Sequence, residues 1–308
     1  MKEDRTTWIN IHNAALQPLL LDELKERAIF ADILRLDKIH PVVSGNKWFK
    51  LKYYLQDAIR NDYKAVLSFG GAWSNHIIAT AFAAHQSGIN SIGVIRGERP
   101  KQLSDTLKAA KAYGMQLEFI SRLAYTEKEN EHFINGLRQK FGNIFIIPEG
   151  GAGEKGIQGS KEILSLAEPT NYSHIVCCIG TGTMYTGLAL SSLLTQEIIG
   201  IPVLKRLEKQ ESKLGESIQP SEKLAYCKII HDYHFGGYAR KTSELLRFMN
   251  HFYELTGIPT DFVYTGKLLY ACFDLFKKNY FPSGSKILII HSGGLQGNSS
   301  LPDKALLF

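Results

Sequence analysis

Along the chain, short apolar runs rich in β-branched residues alternate with longer amphipathic stretches. AVLSFGG from Ala65 is followed by SNHIIATAFAAHQSG from Ser74, SIGVIRG from Ser91 by LSDTLKAAKAYG from Leu103, and QLEFIS from Gln116 comes next. The alternation resumes with HIVCCIG from His174, helix-like MYTGLALSSLLT from Met184 and EIIGIPVLK from Glu197, and KILIIHSGG from Lys286 runs into a glycine turn. Strands followed by helical patterns of about 10 to 15 residues predict βαβ units, and strands this apolar predict parallel sheets covered on both faces. The fold class is therefore α/β, with two doubly wound, mainly parallel-sheet domains. Glycine-rich EGGAGEKGIQG, residues 149–159, lies between the two groups of units and reads as an exposed, flexible crossing, with a second crossing near Asn61. This predicts a larger domain from residues 1–60 and 154–308, with a smaller one, 61–153, inserted in it.

Composition narrows the class. The chain's 308 residues suit about two domains, and 44% hydrophobic with 21% charged residues excludes disordered, collagen-like and coiled-coil polymers. Lys plus Arg number 36 against 30 Asp plus Glu, a net +6 that is scattered rather than gathered into a basic block. No nucleic-acid partner is expected from that distribution, whereas an anionic small molecule suits it. Cys177, Cys178, Cys227 and Cys272 form no CxxC pair, so no metal site is predicted, and the first two sit in an apolar run as buried thiols. No apolar run approaches the ~18 residues of a membrane helix, and MKEDRTTWIN lacks a signal-peptide core. The expectation is a cytoplasmic protein with no membrane partner.

Three segments carry candidate chemistry. In the first, an apolar strand ends in Gly180-Thr181-Gly182-Thr183 and a helix begins, so that backbone N–H groups and the positive helix end can hold a phosphate. GTGTMYTG is not GxGxxG, the strand after it ends without an acid for a ribose, and the Walker GK[ST] ending is absent, which leaves a phosphorylated cofactor held by one group. In the second, SGNKWFKL from Ser44, Asn46 is a suitable N-cap and places Lys47 at the first helical position, unfavourable for a cation against the macrodipole. Dipole and burial lower an amine's pKa, as a Schiff-base lysine requires, whereas Lys50 and Lys52 read as ordinary helix-surface charges. In the third, SFGGAWSNH from Ser68, the Ser74 hydroxyl, the Asn75 amide and helix-terminal N–H groups form a receptor for a carboxylate. Each alone also has a plain structural reading: a glycine turn, a solvated lysine, a capped helix. Together they make the minimum set for pyridoxal 5'-phosphate and an amino acid.

At this point the sequence resembles the pyridoxal-phosphate enzymes of the tryptophan synthase β-subunit fold type, and among them the 1-aminocyclopropane-1-carboxylate deaminase and D-cysteine desulfhydrase family. SGNKWFKL is similar to that family's GGNKxRKL and SFGGAWSNH to its GGIQSNQ or GAIQSNH, and GTGTMYTG, DFVYTGK and ILIIHSGG match three further stretches in order. The resemblance implies that Lys47 binds the cofactor covalently and acts as the base, that Asn75 meets the cofactor's phenolic oxygen, and that Ser74 with the following N–H groups, including that of His76, holds the substrate carboxylate. It implies phosphate binding by Gly180, Thr181, Gly182 and Thr183, with Met184 standing where the family often has a hydroxyl residue. Tyr264 in DFVYTGK and Tyr238 in FGGYARKT, which lacks the proline of the family's YGxP segment, look like catalytic tyrosines reaching the substrate. A homodimer is also implied.

Two positions separate the family's activities. The deaminase pattern reads DPVYEGK and HLGG, whereas this chain has Thr265 after Tyr264 and Ser292 after His291, small hydroxyl residues similar to the desulfhydrase side, and the resemblance implies that position 265 lies beside the cofactor's ring nitrogen. A carboxylate keeps the ring nitrogen protonated and the electron sink strong, as opening a cyclopropane demands; expelling a β-thiolate demands less. The expected reaction is elimination from D-cysteine to pyruvate, ammonia and hydrogen sulfide, with ring-opening deamination to 2-oxobutyrate and ammonia as the alternative. Residues 103–159 lack the family's familiar substrate-contact residues.

Overall fold

The computed structural model describes residues 5–205 and 226–308, so Met1 to Asp4 of the N-terminal start lie outside it. Its strands are β1 (Ala15–Pro18), β2 (Phe30–Arg35), β3 (Ala65–Gly70), β4 (Asn90–Arg96), β5 (Gln116–Ile120), β6 (Ile144–Ile147), β7 (His174–Ile179), β8 (Glu197–Pro202), β9 (Tyr226–Ile229) and β10 (Lys286–His291). The helices are α1 (Asp22–Glu26), α2 (Lys47–Arg60), α3 (Asn75–Gln86), α4 (Asp105–Ala112), α5 (Arg122–Thr126), α6 (Glu131–Phe141), α7 (Glu154–Lys161), α8 (Thr183–Ser191), α9 (Ser243–Thr256) and α10 (Thr265–Lys277).

Two sheets result, a six-stranded one in the order β1-β2-β10-β7-β8-β9 and a four-stranded one in the order β5-β4-β3-β6. All pairs are parallel except β1 with β2, where Ala15 faces Arg35 at the sheet edge. Sequence explains which strands are central. AVLSFG of β3 is buried at every position, as a strand covered on both faces must be, whereas β1 alternates in burial and ends in Pro18, which an edge tolerates. The α/β class with parallel sheets is the observed one.

Helix α2 is the wedge between the sheets. Trp48, Leu51, Tyr54, Leu55 and Ala58 pack with Val66 of β3 and Ala79 and Ala83 of α3, while Phe49 belongs to the core of the six-stranded sheet. Residues 149–159 differ from the expected flexible crossing. They form a 3-10 turn and the start of α7, whose glycines serve close packing: a Cβ on Gly159 would collide with the Phe49 carbonyl of α2, and one on Gly156 with the carbonyl of Gly151. On its other side, α7 meets α8, where a Cβ on Gly187 would strike Ser160. The fold uses glycine in two ways here: the missing side chain at Gly156 and Gly159, and left-handed backbone at Gly150, Gly151 and Gly153, with φ of 68°, 66° and 95°. The consequence is that the first turns of α2 and α8 come face to face.

Candidate active site

The turn after β7 and the start of α8 form one end of the site. Gly182 has a left-handed backbone with φ of 83° and no side chain caps α8, so its first-turn N–H groups are left to a ligand. Lys50 reaches this turn, donating from Nζ to Thr181 Oγ1 at 3.0 Å, and Thr183 Oγ1 lies 3.0 Å from Thr181 Oγ1. Lys50 is 6% exposed, and burial, aided by the charge of Lys47, lowers its amine to about 7. This corrects the reading of Lys50 as a surface charge; Lys52 is partly exposed and paired with Glu162. A signal existed, since Lys47 and Lys50 are three apart and share a helix face. What tertiary packing adds is that this face meets α8.

Lys47 begins α2. Asn46 precedes it but makes no side-chain cap, with helical φ of −70° and ψ of −3°. Instead of capping, its Oδ1 accepts from Lys47 Nζ at 2.7 Å, and its Nδ2 lies 3.2 Å from Met184 Sδ. Burial lowers the Lys47 amine's pKa, with Cys178 and Asp261 opposing. The amine stands 5.8 Å from the centroid of the Tyr264 ring, and a Cβ on Gly180 would sit 3.2 Å from that ring, so position 180 leaves room beside Tyr264. Burial, then the neighbouring Tyr238 and Asp261, hold the Tyr264 phenol well above its ordinary pKa and hence protonated. Tyr238 meets Tyr264 edge-on at 6.2 Å and is 48% exposed, at the rim.

The loop bearing Tyr238 is fastened by a residue that sequence reasoning passed over. Lys267 of α10 is fully buried and donates to the carbonyls of His234 at 2.9 Å and Gly237 at 2.8 Å. Burial, opposed by Asp261, lowers its amine to about 8. Thr265 is also buried: its hydroxyl donates to Asp261 Oδ1 and accepts from the Asp261 amide, both at 2.8 Å. Its one proton is thereby committed, and only an acceptor lone pair remains for a ligand. The expected neutral oxygen at 265 is present, with a buried carboxylate one hydrogen bond behind it.

The remaining side chains gather on the turn after β10. The Ser292 carbonyl accepts from the Asn46 amide at 3.2 Å, its hydroxyl lies 3.2 Å from Cys178 Sγ, and the Gly294 carbonyl accepts from Asn75 Nδ2 at 3.2 Å. Ser74 caps α3, accepting from the Ile77 amide at 3.3 Å and keeping its own proton free. The His76 side chain turns away, Nε2 lying 2.7 Å from Ser68 Oγ in the core, where burial and then the charges of Lys47 and Lys50 lower it to about 3. Only the backbone N–H of His76 faces the helix end. His291 is structural: its Nδ1 is 3.0 Å from Asp37 Oδ1 and its Nε2 meets the Pro259 carbonyl. All four cysteines are free; Cys177, Cys178 and Cys272 are buried and Cys227 is exposed.

Pyridoxal 5'-phosphate fits these residues. Asn75 Oδ1 is buried with no partner among the described residues, an arrangement that costs about 1–3 kcal/mol until a ligand donor arrives. The same turn at 292–294 brings Asn75 to the Lys47 segment, while Lys50 and residues 180–183 offer cation and N–H groups to a phosphate. Residues 18–293 match the family model described as "Pyridoxal-phosphate dependent enzyme". The chain belongs to this family. It is a pyridoxal-phosphate-dependent enzyme of the tryptophan synthase β-subunit-like fold. It is 32% identical over 278 residues to a Pyrococcus horikoshii protein named "Putative 1-aminocyclopropane-1-carboxylate deaminase", covering 86% of this chain and 84% of that one. It is 28% identical to the Arabidopsis thaliana "Bifunctional D-cysteine desulfhydrase/1-aminocyclopropane-1-carboxylate deaminase, mitochondrial", over 83% of this chain and 70% of the relative. A crystal structure of an ACC deaminase homologue superposes with a TM-score of 0.81 at 28% identity, covering 95% of this chain and 92% of that one. Among the described residues no helix is long and apolar enough to cross a membrane.

Proposed function

We propose that this enzyme takes the α-proton from a small amino acid and expels its β-substituent, D-cysteine and water giving pyruvate, ammonia and hydrogen sulfide. The observation that carries the reading is the Lys47 amine, its pKa lowered by burial and its Nζ held by Asn46 Oδ1 beside the Tyr264 ring. When bound, the cofactor supplies an electron sink for the bonds broken at the substrate's α-carbon. The rest is done by the chain. Lys47 tethers the cofactor and then moves the α-proton. Lys50 and the 180–183 turn bind the phosphate, Asn75 meets the phenolic oxygen, and Thr265 stands at the ring nitrogen. Ser74 and the first N–H groups of α3 orient the substrate carboxylate, Tyr264 and Tyr238 close the rim, and Ser292 lines the floor on Cys178. The unit of residues 61–153 closes over the substrate to exclude water.

Desulfhydration stands first because residue 265 is threonine and not the carboxylate residue of the deaminase pattern, so no charge sits directly at the ring-nitrogen position and Asp261 stands one hydrogen bond behind. Ring-opening deamination stands second, favoured by the name of the Pyrococcus relative, whereas the name of the Arabidopsis relative carries both activities. Turnover of D-cysteine, L-cysteine, β-chloro-D-alanine and 1-aminocyclopropane-1-carboxylate separates the two: hydrogen sulfide from D-cysteine is expected, and 2-oxobutyrate without hydrogen sulfide reverses the order. The lysine assignment is tested by Lys47→Ala, which should lose the borohydride-sensitive visible absorption of the purified protein; retention of that band rejects it. A homodimer in the cytoplasm completes the reading, from the family resemblance and the free thiols, and light scattering giving the mass of one chain would remove the dimer.

A further inference from the structure

The carboxyl ends of β3 to β6 open on a cleft of about 900 Å³, the edge of a parallel sheet at which α/β proteins place ligands. Gly71 and Ala72, just before Ser74, form one wall, and Tyr238, whose ring meets that of Tyr264, forms another, so the cleft borders the amino-acid site. Its lining carries four cations, Arg96, Arg122, Lys128 and Arg240, and one acid, Glu149. That acid is committed: Lys128 Nζ lies 3.6 Å from it and the Tyr125 hydroxyl donates to it at 2.9 Å. Arg96, Arg122 and Arg240 have no acidic partner among the described residues. Arg96, the last residue of β4, is also aimed. Its guanidinium lies 5.7 Å over the Tyr125 ring, and its Nη2 lies 3.7 Å from where a Cβ on Gly71 would stand, beside the turn that leads to Ser74.

We propose that the substrate is an amino acid whose side chain ends in a second anion, a carboxylate, sulfonate or phosphate, and that Arg96, Arg122 and Arg240 bind this group. The inference rests on the Lys47 site being the amino-acid site, as proposed above. Guanidinium groups gathered at one cleft repel each other unless an anion joins them, and their planar forks suit oxyanions that accept two hydrogen bonds at once. The thiol of cysteine does neither, which makes D-cysteine a truncated analogue of the preferred substrate.

The test uses the holoenzyme and matched pairs in both D and L forms: cysteine with cysteate and serine with O-phosphoserine for binding and turnover, and alanine with aspartate, which lack a β leaving group, for binding alone. Binding is read from the change in visible absorption, and turnover as kcat/KM. At least one anionic member should bind and react at least tenfold better than its neutral partner, and the responding pair identifies the anion. Arg96→Met and Arg122→Met should each reduce that anionic-to-neutral ratio at least fivefold, and salt should weaken the anionic ligand more steeply than the neutral one. Neutral and anionic members that bind equally, or variants that leave the ratio unchanged, overturn the proposal. A protein whose visible band responds to no amino acid at all, neutral or anionic, rejects instead the amino-acid site itself.

Discussion

The inner site and the outer cleft use positive charge in opposite ways. Inside, Lys47, Lys50 and Lys267 are enclosed, each has a named partner, and burial lowers all three amines. Outside, Arg96, Arg122 and Arg240 are exposed and have no acidic partner among the described residues. A buried amine is a reagent or a clamp, because losing water makes its proton easy to give up and its hydrogen bonds hard to replace. An exposed guanidinium keeps its charge at any working pH and so selects ligands without doing chemistry. On the proposed reading, reaction and selection occupy different depths: enclosed Lys47 at the head of α2 serves the first, and the exposed arginines at the ends of the four-stranded sheet, with Arg240 from beyond β9, serve the second.

Changes to the inner scaffold should break this division most severely. Gly159→Ala forces a Cβ into the Phe49 carbonyl and should cost about 3 kcal/mol or more of stability, visible in urea unfolding and as loss of the bound cofactor. An Arg122→Ala protein, altered in the cleft instead, should unfold within about 0.5 kcal/mol of the parent. Next in size, Lys50→Met should weaken cofactor affinity roughly 10- to 100-fold, because a charge-assisted contact to phosphate is lost, and titration of the apoprotein with cofactor measures this. An unchanged affinity would remove Lys50 from the phosphate end.

Lys267→Met probes the border between the regions. It leaves the His234 and Gly237 carbonyls without their donor and frees the loop of Tyr238, so KM should rise several-fold while the visible spectrum stays that of the parent. The smallest effect is in pH. Lys50 titrates at about 7 in the fold and near 10.5 when unfolded, so between these values the unfolded chain binds more protons. Its contribution to stability is therefore absent below about pH 7 and grows as pH rises. Urea unfolding of the apoprotein at pH 7 and pH 9 should show that gain, reduced in Lys50→Met. Lys267, at about 8, and Lys47, whose amine burial also lowers, contribute with the same sign to what remains.

Much of the molecule was legible in the chain. AVLSFGG, SIGVIRG, HIVCCIG and KILIIHSGG coincide with β3, β4, β7 and β10, because a run of apolar residues bounded by glycine has few other ways to be buried. Strands β1, β2, β6 and β9 have no counterpart among those runs; β1 and β9 are partly exposed edges that carry little pattern, whereas β2 is internal. The glycines of 149–159 read alike in the chain because sequence cannot distinguish a residue chosen for backbone freedom, as at Gly150, Gly151 and Gly153, from one chosen for the absence of a Cβ, as at Gly156 and Gly159. Asn46 was expected to cap α2, yet its amide serves Lys47, since an oxygen takes whichever donor the fold brings within reach. Residues 103–159 offered no familiar contact, yet Arg122, Tyr125, Lys128 and Glu149 from that region line the cleft.

By itself, the sequence determined the periodicities, and with them the α/β class, the turn at 180–183, the lysine at the head of a helix and the family to which these belong. Those features are local, encoded within a few residues and readable wherever they occur. Only the tertiary structure decided which charges are buried and which face a common space. Lys50 and Arg122 look alike in a one-dimensional string; packing of α2 against α7 and α8 encloses one, and the open ends of a four-stranded sheet expose the other. The pKa of an amine and the partners of a guanidinium depend on neighbours far away in the chain, and it is the fold that supplies them.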